Sequence, residues 1–329
     1  MAVDDHGAGQ LPLGTALARA KAAHARNVGR TTERPPSASN SSPLTPEVIG
    51  DEVTEVAYAA RLFAQLSLPY RNPAPAPVWV RRNGALKLMV HPHWVDDPSS
   101  EQPAPHYPYG VIPRLLVTWM ATEAVHTKDR TLVLGGSLSA FVRALDLVPR
   151  GGTRGDIGRL RDQMTRLFGS RLVVYGMADH FDAMAAVSLA DSYQLWWSPR
   201  HPADEPLWQS TVTLSEPFFR SVVDAPVPVD LAALAELRGS ALRLDIYTWL
   251  TYRLSYLRKP TTVPWESLAF QFGGHNARTR RFKETFLRQL AVVQLVYPTA
   301  KVEPTDSGLL LRPSPPHVPA RRLKRGSGA

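Results

Sequence analysis

The chain has 329 residues, enough for two domains, and its 44% apolar and 20% charged residues are ordinary for a globular protein. It has no cysteine, which excludes disulfides, thiolate zinc sites and a cysteine nucleophile. The formal net charge of +9 favours a polyanionic partner, because each phosphate neutralised by Lys or Arg releases condensed counterions. No long uncharged apolar run or signal-peptide core is present, so we expect no membrane partner and a cytoplasmic location.

The first part of the chain is predicted to contain a disordered segment, a helix and a β-hairpin. Residues 1–43 are rich in Ala, Arg, Ser and Pro without periodicity, which predicts a disordered N-terminal segment. A helix is predicted over residues 45–69, because Thr45 and Pro46 form a helix start and apolar residues follow at helical spacing. The run VWVRRNGALKLMV alternates around Asn83-Gly84, which predicts a β-hairpin with a type I′ turn.

The next elements follow the order of a winged helix-turn-helix. Apolar residues at helical spacing predict a helix over residues 113–125, and the strand RTLVLG follows. Ser137 predicts the start of a second helix through Leu147, and the loop PRGGTRG leads to a third helix ending near Phe168. The runs RLVVYG, YQLWW and LWQSTVTL predict the β-ribbon.

The same order returns after the predicted linker DAPVPVD. Helices are predicted over residues 242–257, within TTVPWESLAFQFG, and over residues 276–294, followed by two strands in KVEPTDSGLLLRP. The predicted fold class is therefore α+β, with two tandem winged-helix domains. The predicted divisions are a disordered segment 1–43, an N-terminal winged-helix domain 44–225, a C-terminal winged-helix domain 226–318 and a basic tail 319–329 that contains RRLKR.

The third helix of the second half is the strongest candidate for DNA contact. Four residues form its apolar stripe: Phe282, Phe286, Leu290 and Val293. Basic residues occupy the remaining surface: Arg278, Arg280, Arg281, Lys283 and Arg288. A helix of this kind fits the major groove, where Arg binds base edges and phosphates.

The third helix of the first half has a similar but weaker pattern. Its candidate contact residues are Arg154, Arg159, Arg161, Gln163 and Arg166. Gln163 suits adenine, whereas Asp156 and Asp162 dilute the positive charge. The alternative for both helices is an ordinary solvated surface, since Arg is a good helix former.

An enzymatic alternative rests on two histidines. His91-Pro-His93 is similar to the metal site of rolling-circle nickases, with Tyr107 or Tyr109 as the nucleophile. Such a site needs both imidazoles on one face of a central strand, where Pro92 would remove a ladder hydrogen bond. The pair is therefore better interpreted as a turn at a strand end, and we expect no enzymatic activity, no cofactor and no metal.

The sequence from residue 107 to 167, YPYGVIPRLLVTWMATEAVHTKDRTLVLGGSLSAFVRALDLVPRGGTRGDIGRLRDQMTRLF, resembles the RepA-type plasmid replication initiators. The runs PVPVDLAALAEL, ALRLDIYTWLTYRLSYLRKPTTVPWESLAFQFG and LLLRPSPPHV resemble the same family, over residues 45–318 in all. The resemblance implies two winged-helix domains that bind repeated sequences, called iterons, in duplex origin DNA. It also implies an inactive homodimer, origin opening, recruitment of the host replication initiator and helicase, and no catalytic motif.

Carried onto this chain, the family's recognition positions fall on the candidate residues of the two third helices. A transcriptional repressor acting on its own promoter remains an alternative, because it would use the same DNA-binding surface.

Overall fold

A computed structural model describes residues 47–49, 52–54, 56–96, 102–135, 142–143, 145, 156–178, 181–195, 210–273 and 279–319. Within these ranges the fold is α+β, as predicted, with helices packed against several small antiparallel sheets. No helix there is both long and apolar enough to cross a bilayer. The predicted disordered segment 1–43, the RRLKR cluster and most of the helix predicted from Ser137 lie outside the described residues.

The described residues between 47 and 69 are mainly β-structure, so the helix predicted over residues 45–69 is wrong. Strands β1 (Glu47–Ile49) and β2 (Glu52–Thr54) pair with each other, and β3 (Val56–Ala59) pairs with β13 (Val227–Asp230). Only α1 (Arg61–Gln65) is helical. The β-branched residues of this segment favour strands, and the partner strand of β3 lies far along the chain, where local periodicity cannot reveal it.

The predicted hairpin is confirmed as β4 (Trp79–Asn83) and β5 (Leu86–His91). The register pairs Asn83 with Leu86, so Gly84 and Ala85 form the two-residue loop. Gly84 has φ +55°, and Ala85 does not have positive φ, which fits a type II′ turn and not the type I′ turn predicted on Asn83-Gly84. Strands β9 (Arg171–Ala178) and β10 (Phe181–Ser188) extend this sheet in the order β10-β9-β5-β4.

The remaining first-half elements include one long buried helix. Helix α2 (Val111–Thr127) is buried without interruption from Pro113 to Ala124 and packs against β3. Helix α2 also contacts β8 (Thr131–Val133), α3 (Asp156–Gly169) and α4 (Glu216–Val223). The other elements of this half are β6 (His93–Val95), β7 (Ala104–His106), β11 (Ala190–Gln194) and β12 (Thr211–Leu214). The sheet formed by three of these strands has the order β11-β12-β8.

The second half matches its predicted elements closely. After β13 it contains α5 (Leu231–Leu237), α6 (Ala241–Tyr256), β14 (Thr261–Pro264), α7 (Trp265–Phe272), α8 (Thr279–Val296), β15 (Val302–Pro304) and β16 (Gly308–Leu311). Its sheet has the order β14-β16-β15. The segment predicted as a linker contains strand β13, and one contiguous apolar core includes residues of both halves. The division at residues 225 and 226 stays a prediction.

Gly308 lies where two strands approach closely, so substituting it should destabilise this sheet. A β-carbon at Gly308 would overlap the backbone oxygen of Val263 on β14. We expect Gly308→Ala to lower the free energy of unfolding by about 1–3 kcal/mol, because neither backbone can move freely. Urea denaturation measures the loss, and Gly239→Ala is the control, since its nearest neighbour is the Arg243 side chain at 3.6 Å. Equal losses in the two variants would contradict the close approach.

Candidate nucleic-acid interface

Helix α8 uses its predicted apolar stripe to pack against α7. Phe286 is fully buried, and its ring lies 5.5 Å from Phe282 and 5.6 Å from Phe272 of α7, between ring centroids. Leu290 and Val293 are also buried. Because this face is occupied by the core, the other face of the helix is the one that remains for solvent or a ligand.

Hydrogen bonds attach α8 to its neighbours along its length. Arg243 Nε of α6 donates to Gln289 Oε1 at 2.7 Å, and Gln294 Nε2 donates to the carbonyl of Val302 on β15 at 3.3 Å. Trp265 of α7 donates from Nε1 to the carbonyl of Thr305, between β15 and β16, at 2.9 Å. Helix α8 is therefore held by a helix on one side and by the β-ribbon on another.

The exposed face of α8 carries most of the predicted contact residues. Arg281 and Arg288 are exposed and two helical turns apart, and neither has an ion-pair partner within the described ranges. Arg280 Nε lies 3.3 Å from Glu284 Oε1, but the side chains are 93% and 65% exposed, so water screens the pair. Phosphate can replace Glu284 as the partner of Arg280 at little cost.

Two other predicted residues of this helix are placed differently. Lys283 is half-buried, with Nζ 4.8 Å from the ring centroid of Trp265, so its ammonium group forms a cation–π contact at the edge of the basic face. Arg278 lies outside the described residues.

Helix α3 places its candidates in two environments. Arg159 and Arg161 are exposed, whereas Gln163 is only 5% exposed. The Gln163 amide oxygen accepts a hydrogen bond from the backbone N–H of Tyr109 at 3.0 Å, so this side chain supports the start of α2. Arg166 donates to Asp162 at 2.8 Å, and its side chain is 13% exposed. Arg154 lies outside the described residues.

Helix α3 therefore brings only Arg159 and Arg161, of its described candidates, to the surface. Direct contact of Gln163 and Arg166 with DNA stays an untested prediction that this packing disfavours.

The histidine pair lies where a turn was expected. His91 ends β5 and His93 begins β6, opposite His106 of β7. Tyr107 is completely buried, and its hydroxyl donates to the carbonyl of Ala76 at 2.8 Å, so it is not accessible to a phosphodiester. Within the described ranges, no three His, Asp or Glu side chains are grouped in a way that could hold a metal.

The C-terminal end of α8 is fixed by a ring cluster. Tyr297 follows α8 and is buried, and the ring of His317 lies 4.7 Å from its ring. Asp230 donates its backbone N–H to the Tyr247 hydroxyl, and that hydroxyl is hydrogen-bonded to His317 Nδ1 at 2.8 Å. Burial lowers the pKa of His317, with Asp230 opposing the shift, so the imidazole is neutral at neutral pH.

Sequence reasoning missed two buried arginines that join the halves. Arg114 of α2 donates Nε to Asp245 Oδ1 at 2.7 Å and Nη2 to Asp245 Oδ2 at 2.8 Å, and both side chains are 8% exposed. Arg81 of β4 donates Nη1 to the carbonyl of Gly273, at the end of α7. A signal for the first pair exists in the sequence, since Arg114 and Asp245 are charged residues within two predicted apolar helices.

Residues 107–267 match the family model described as "Plasmid encoded RepA protein". Over these residues the chain is similar to plasmid-encoded RepA proteins. This confirms the resemblance read from the sequence. A crystal structure of domains 2 and 3 of RctB matches with a TM-score of 0.44 and 11% identity, covering 75% of this chain and 85% of that chain. No curated protein sequence matches the chain.

We expect the ring cluster to make the stability of the chain depend on pH. Because the folded-state pKa of His317 is lowered, its stabilisation is complete above the unfolded pKa of about 6.5 and is lost as pH falls through the folded pKa. We expect His317→Phe to be less stable by about 1 kcal/mol at pH 8, because the Tyr247 hydroxyl loses its hydrogen bond to the imidazole. The free energy of unfolding between pH 8 and pH 5, from chemical denaturation, should fall less for the variant, and parallel curves would contradict this.

Proposed function

We propose that this chain initiates plasmid replication by binding repeated sequences in duplex origin DNA through two winged-helix domains. The observation that carries the proposal is the arginine face of α8, in which Arg281 and Arg288 are exposed while the opposite stripe is packed in the core. An Arg guanidinium donates two parallel hydrogen bonds to guanine or phosphate, so a helix of this kind can bind in a major groove.

The tandem winged-helix assignment is supported by a strand order that occurs twice. In the second half the elements follow in the order α6, β14, α7, α8, β15 and β16. Strand β14 pairs with β16, and β16 also pairs with β15. In the first half, α2 and β8 precede α3. Strand β8 again pairs with the last strand of its sheet in chain order, β12, and β12 also pairs with β11. The β9–β10 ribbon is inserted after α3, and most of the predicted second helix of this half lies outside the described residues.

The two halves contribute unequally to DNA binding in this proposal. The exposed face of α8 contains three arginines and one glutamate. In α3, Arg159 and Arg161 are exposed, whereas Arg166 is ion-paired with Asp162. Helix α8 is therefore the main reader of base sequence and α3 an auxiliary contact. Origin opening, recruitment of the host replication initiator and helicase, pairing into a homodimer and a cytoplasmic location complete the proposal.

Removing single arginines from α8 should weaken specific binding. We expect Arg281→Ala and Arg288→Ala each to cost about 1–3 kcal/mol at the cognate repeat, with a smaller loss on unrelated duplex DNA. Protection mapping of the DNA that flanks the gene identifies the repeat, and gel-shift titration at fixed salt then measures both affinities.

The matched control is Arg220→Ala, which removes an exposed helical arginine from α4. It should retain nearly the parental affinity. If both α8 variants protect the repeat as the parent does, the assignment of α8 as the recognition helix is wrong.

Repression of its own promoter would use the same surface and is compatible with initiation. The two roles are separated by supplying the gene in trans to a plasmid that carries the origin but lacks the gene. Maintenance of that plasmid supports initiation, whereas repression without maintenance supports the alternative.

We expect no strand cleavage by this chain. Supercoiled origin DNA incubated with the protein and Mg²⁺ or Mn²⁺ should yield no covalent tyrosyl adduct, because Tyr107 is buried and bonded to the backbone and the half-buried Tyr109 ring lies against the Arg166 guanidinium. Denaturing gels of end-labelled DNA would detect such an adduct. An adduct that is abolished by His93→Ala would support the nickase and reject this part of the proposal.

A further inference from the structure

The contact between the halves is centred on a fully satisfied guanidinium. Besides its two bonds to Asp245, Arg114 donates from Nη1 to the carbonyls of Pro69 and Gly110, at 3.2 and 2.6 Å, and from Nη2 to Leu68 at 2.7 Å. All five N–H groups of this side chain therefore have acceptors. A planar guanidinium bonded in this way permits one orientation of α2 relative to α6.

A second set of hydrogen bonds fixes the C-terminal end of α7. The Arg81 guanidinium donates to the carbonyl of Gly273, where the negative end of the α7 dipole favours a cation. Gln271 Nε2 donates to the carbonyl of Gln65, and Ser67 Oγ donates to the carbonyl of Gln271, both at 3.0 Å. Three first-half residues thus hold the helix that precedes α8 in the chain.

The aromatic rings around the two guanidinium groups join both sets of contacts. Tyr70 lies 4.8 Å from the Arg114 guanidinium and 5.6 Å from that of Arg81, and Trp79 lies 4.7 Å from Arg81, measured to ring centroids. Arg81 is only 4% exposed. The two arginines therefore form one buried cluster between the halves.

This cluster lies on a continuous path between the two candidate DNA-contact helices. Helix α3 packs on α2, Arg114 joins α2 to α6, and α6 packs on α8. Strand β3 also pairs with β13 beside this path. Each step is a packed or hydrogen-bonded contact, so an angular change at Arg114 or Arg81 would be transmitted to α8.

We infer that Arg81 and Arg114 are positioning residues that hold α3 and α8 at one distance and angle, so that the chain selects DNA by the spacing of two contacted segments. The inference rests on the proposed function for its DNA consequence, whereas the fixed geometry is a property of the free protein. Spacing selectivity would then be encoded in the interior of the chain and sequence selectivity in the exposed arginines of α8.

The fixed geometry is tested first without DNA. Because the chain has no cysteine, Arg220→Cys on α4 and Leu295→Cys on α8 provide two exposed positions for nitroxide labels, one in each half. Electron–electron double resonance should give one narrow distance distribution in the otherwise unchanged chain. Adding Arg81→Leu, or Arg114→Met with Asp245→Leu, should widen it at least about twofold, since packed halves have discrete alternative arrangements.

The variants were selected so that loss of folding does not obscure the result. The double variant replaces a buried ion pair by apolar residues of similar volume, which is often neutral for stability. Arg81→Leu leaves the Arg114–Asp245 pair intact, and Gln271→Leu, a third variant at the same contact, leaves both arginines in place. Circular dichroism identifies the folded variants, which are the ones compared.

The second experiment measures the ratio of two affinities, one for the duplex with the natural spacing and one for a duplex with altered spacing. Inserting two base pairs between the segments protected by each half rotates them by about 70° relative to each other. We expect the insertion to weaken binding by the parent at least about tenfold, because α3 and α8 can no longer contact their DNA segments at the same time. Binding by the variants should weaken less than about threefold. A partly unfolded variant would weaken binding to both duplexes equally and leave the ratio unchanged, and Arg220→Ala should keep the parental ratio.

The outcomes separate this inference from the proposed function. A broad distance distribution in the parent, or a parental ratio near one, overturns the inference even if the repeats are bound. Variants that keep the parental distribution and ratio overturn it as well. Absence of any repeat binding rejects the proposed function, while the distance measurement still decides whether the arginines fix the geometry.

Discussion

The guanidinium of Arg114 and the carboxylate of Asp245 meet in the core between the two halves, where each side chain is 8% exposed. Removing two charges from water costs several kcal/mol per ion, and the pair is tolerated only if its remaining hydrogen-bonding groups are satisfied. The backbone carbonyls of Leu68, Pro69 and Gly110 meet this requirement. Gly110 has φ +79°, a conformation that glycine adopts without strain. One ion pair thereby dictates the path of the chain before α2 and the placement of α6.

The surface of α8 follows from the same core. Its phenylalanines pack on α7, α7 is held by Arg81 and Ser67 from the first half, and α6 is held by Arg114. The face of α8 that remains accessible to a ligand is the one with Arg281 and Arg288. A basic helix on a mobile support could bind phosphates without discrimination, whereas reading base edges needs side chains held in a defined geometry.

Local patterns in the sequence predicted most of the second half and part of the first. The periodicity of α2, α6 and α8, and the turn residues of the β4–β5 and β15–β16 hairpins, correspond to contacts within a few residues along the chain. The predicted helix over residues 45–69 is wrong, because β3 is a strand that pairs with the distant strand β13, which also lies within the segment predicted as a linker. Gln163 was predicted as a reader of adenine, but its amide is buried against Tyr109, which periodicity alone could not indicate.

The sequence by itself determined the basic character of the protein, its α+β class, the apolar stripe of α8 and the resemblance to the RepA family, since these depend on composition and short-range spacing. The tertiary structure decided which arginines are exposed and which are structural. Arg281 and Arg114 are both arginines beside apolar residues of a helix, yet one is on the surface and the other is buried. The difference is the presence of Asp245 and three carbonyl groups around Arg114, and those partners are brought to it only by folding.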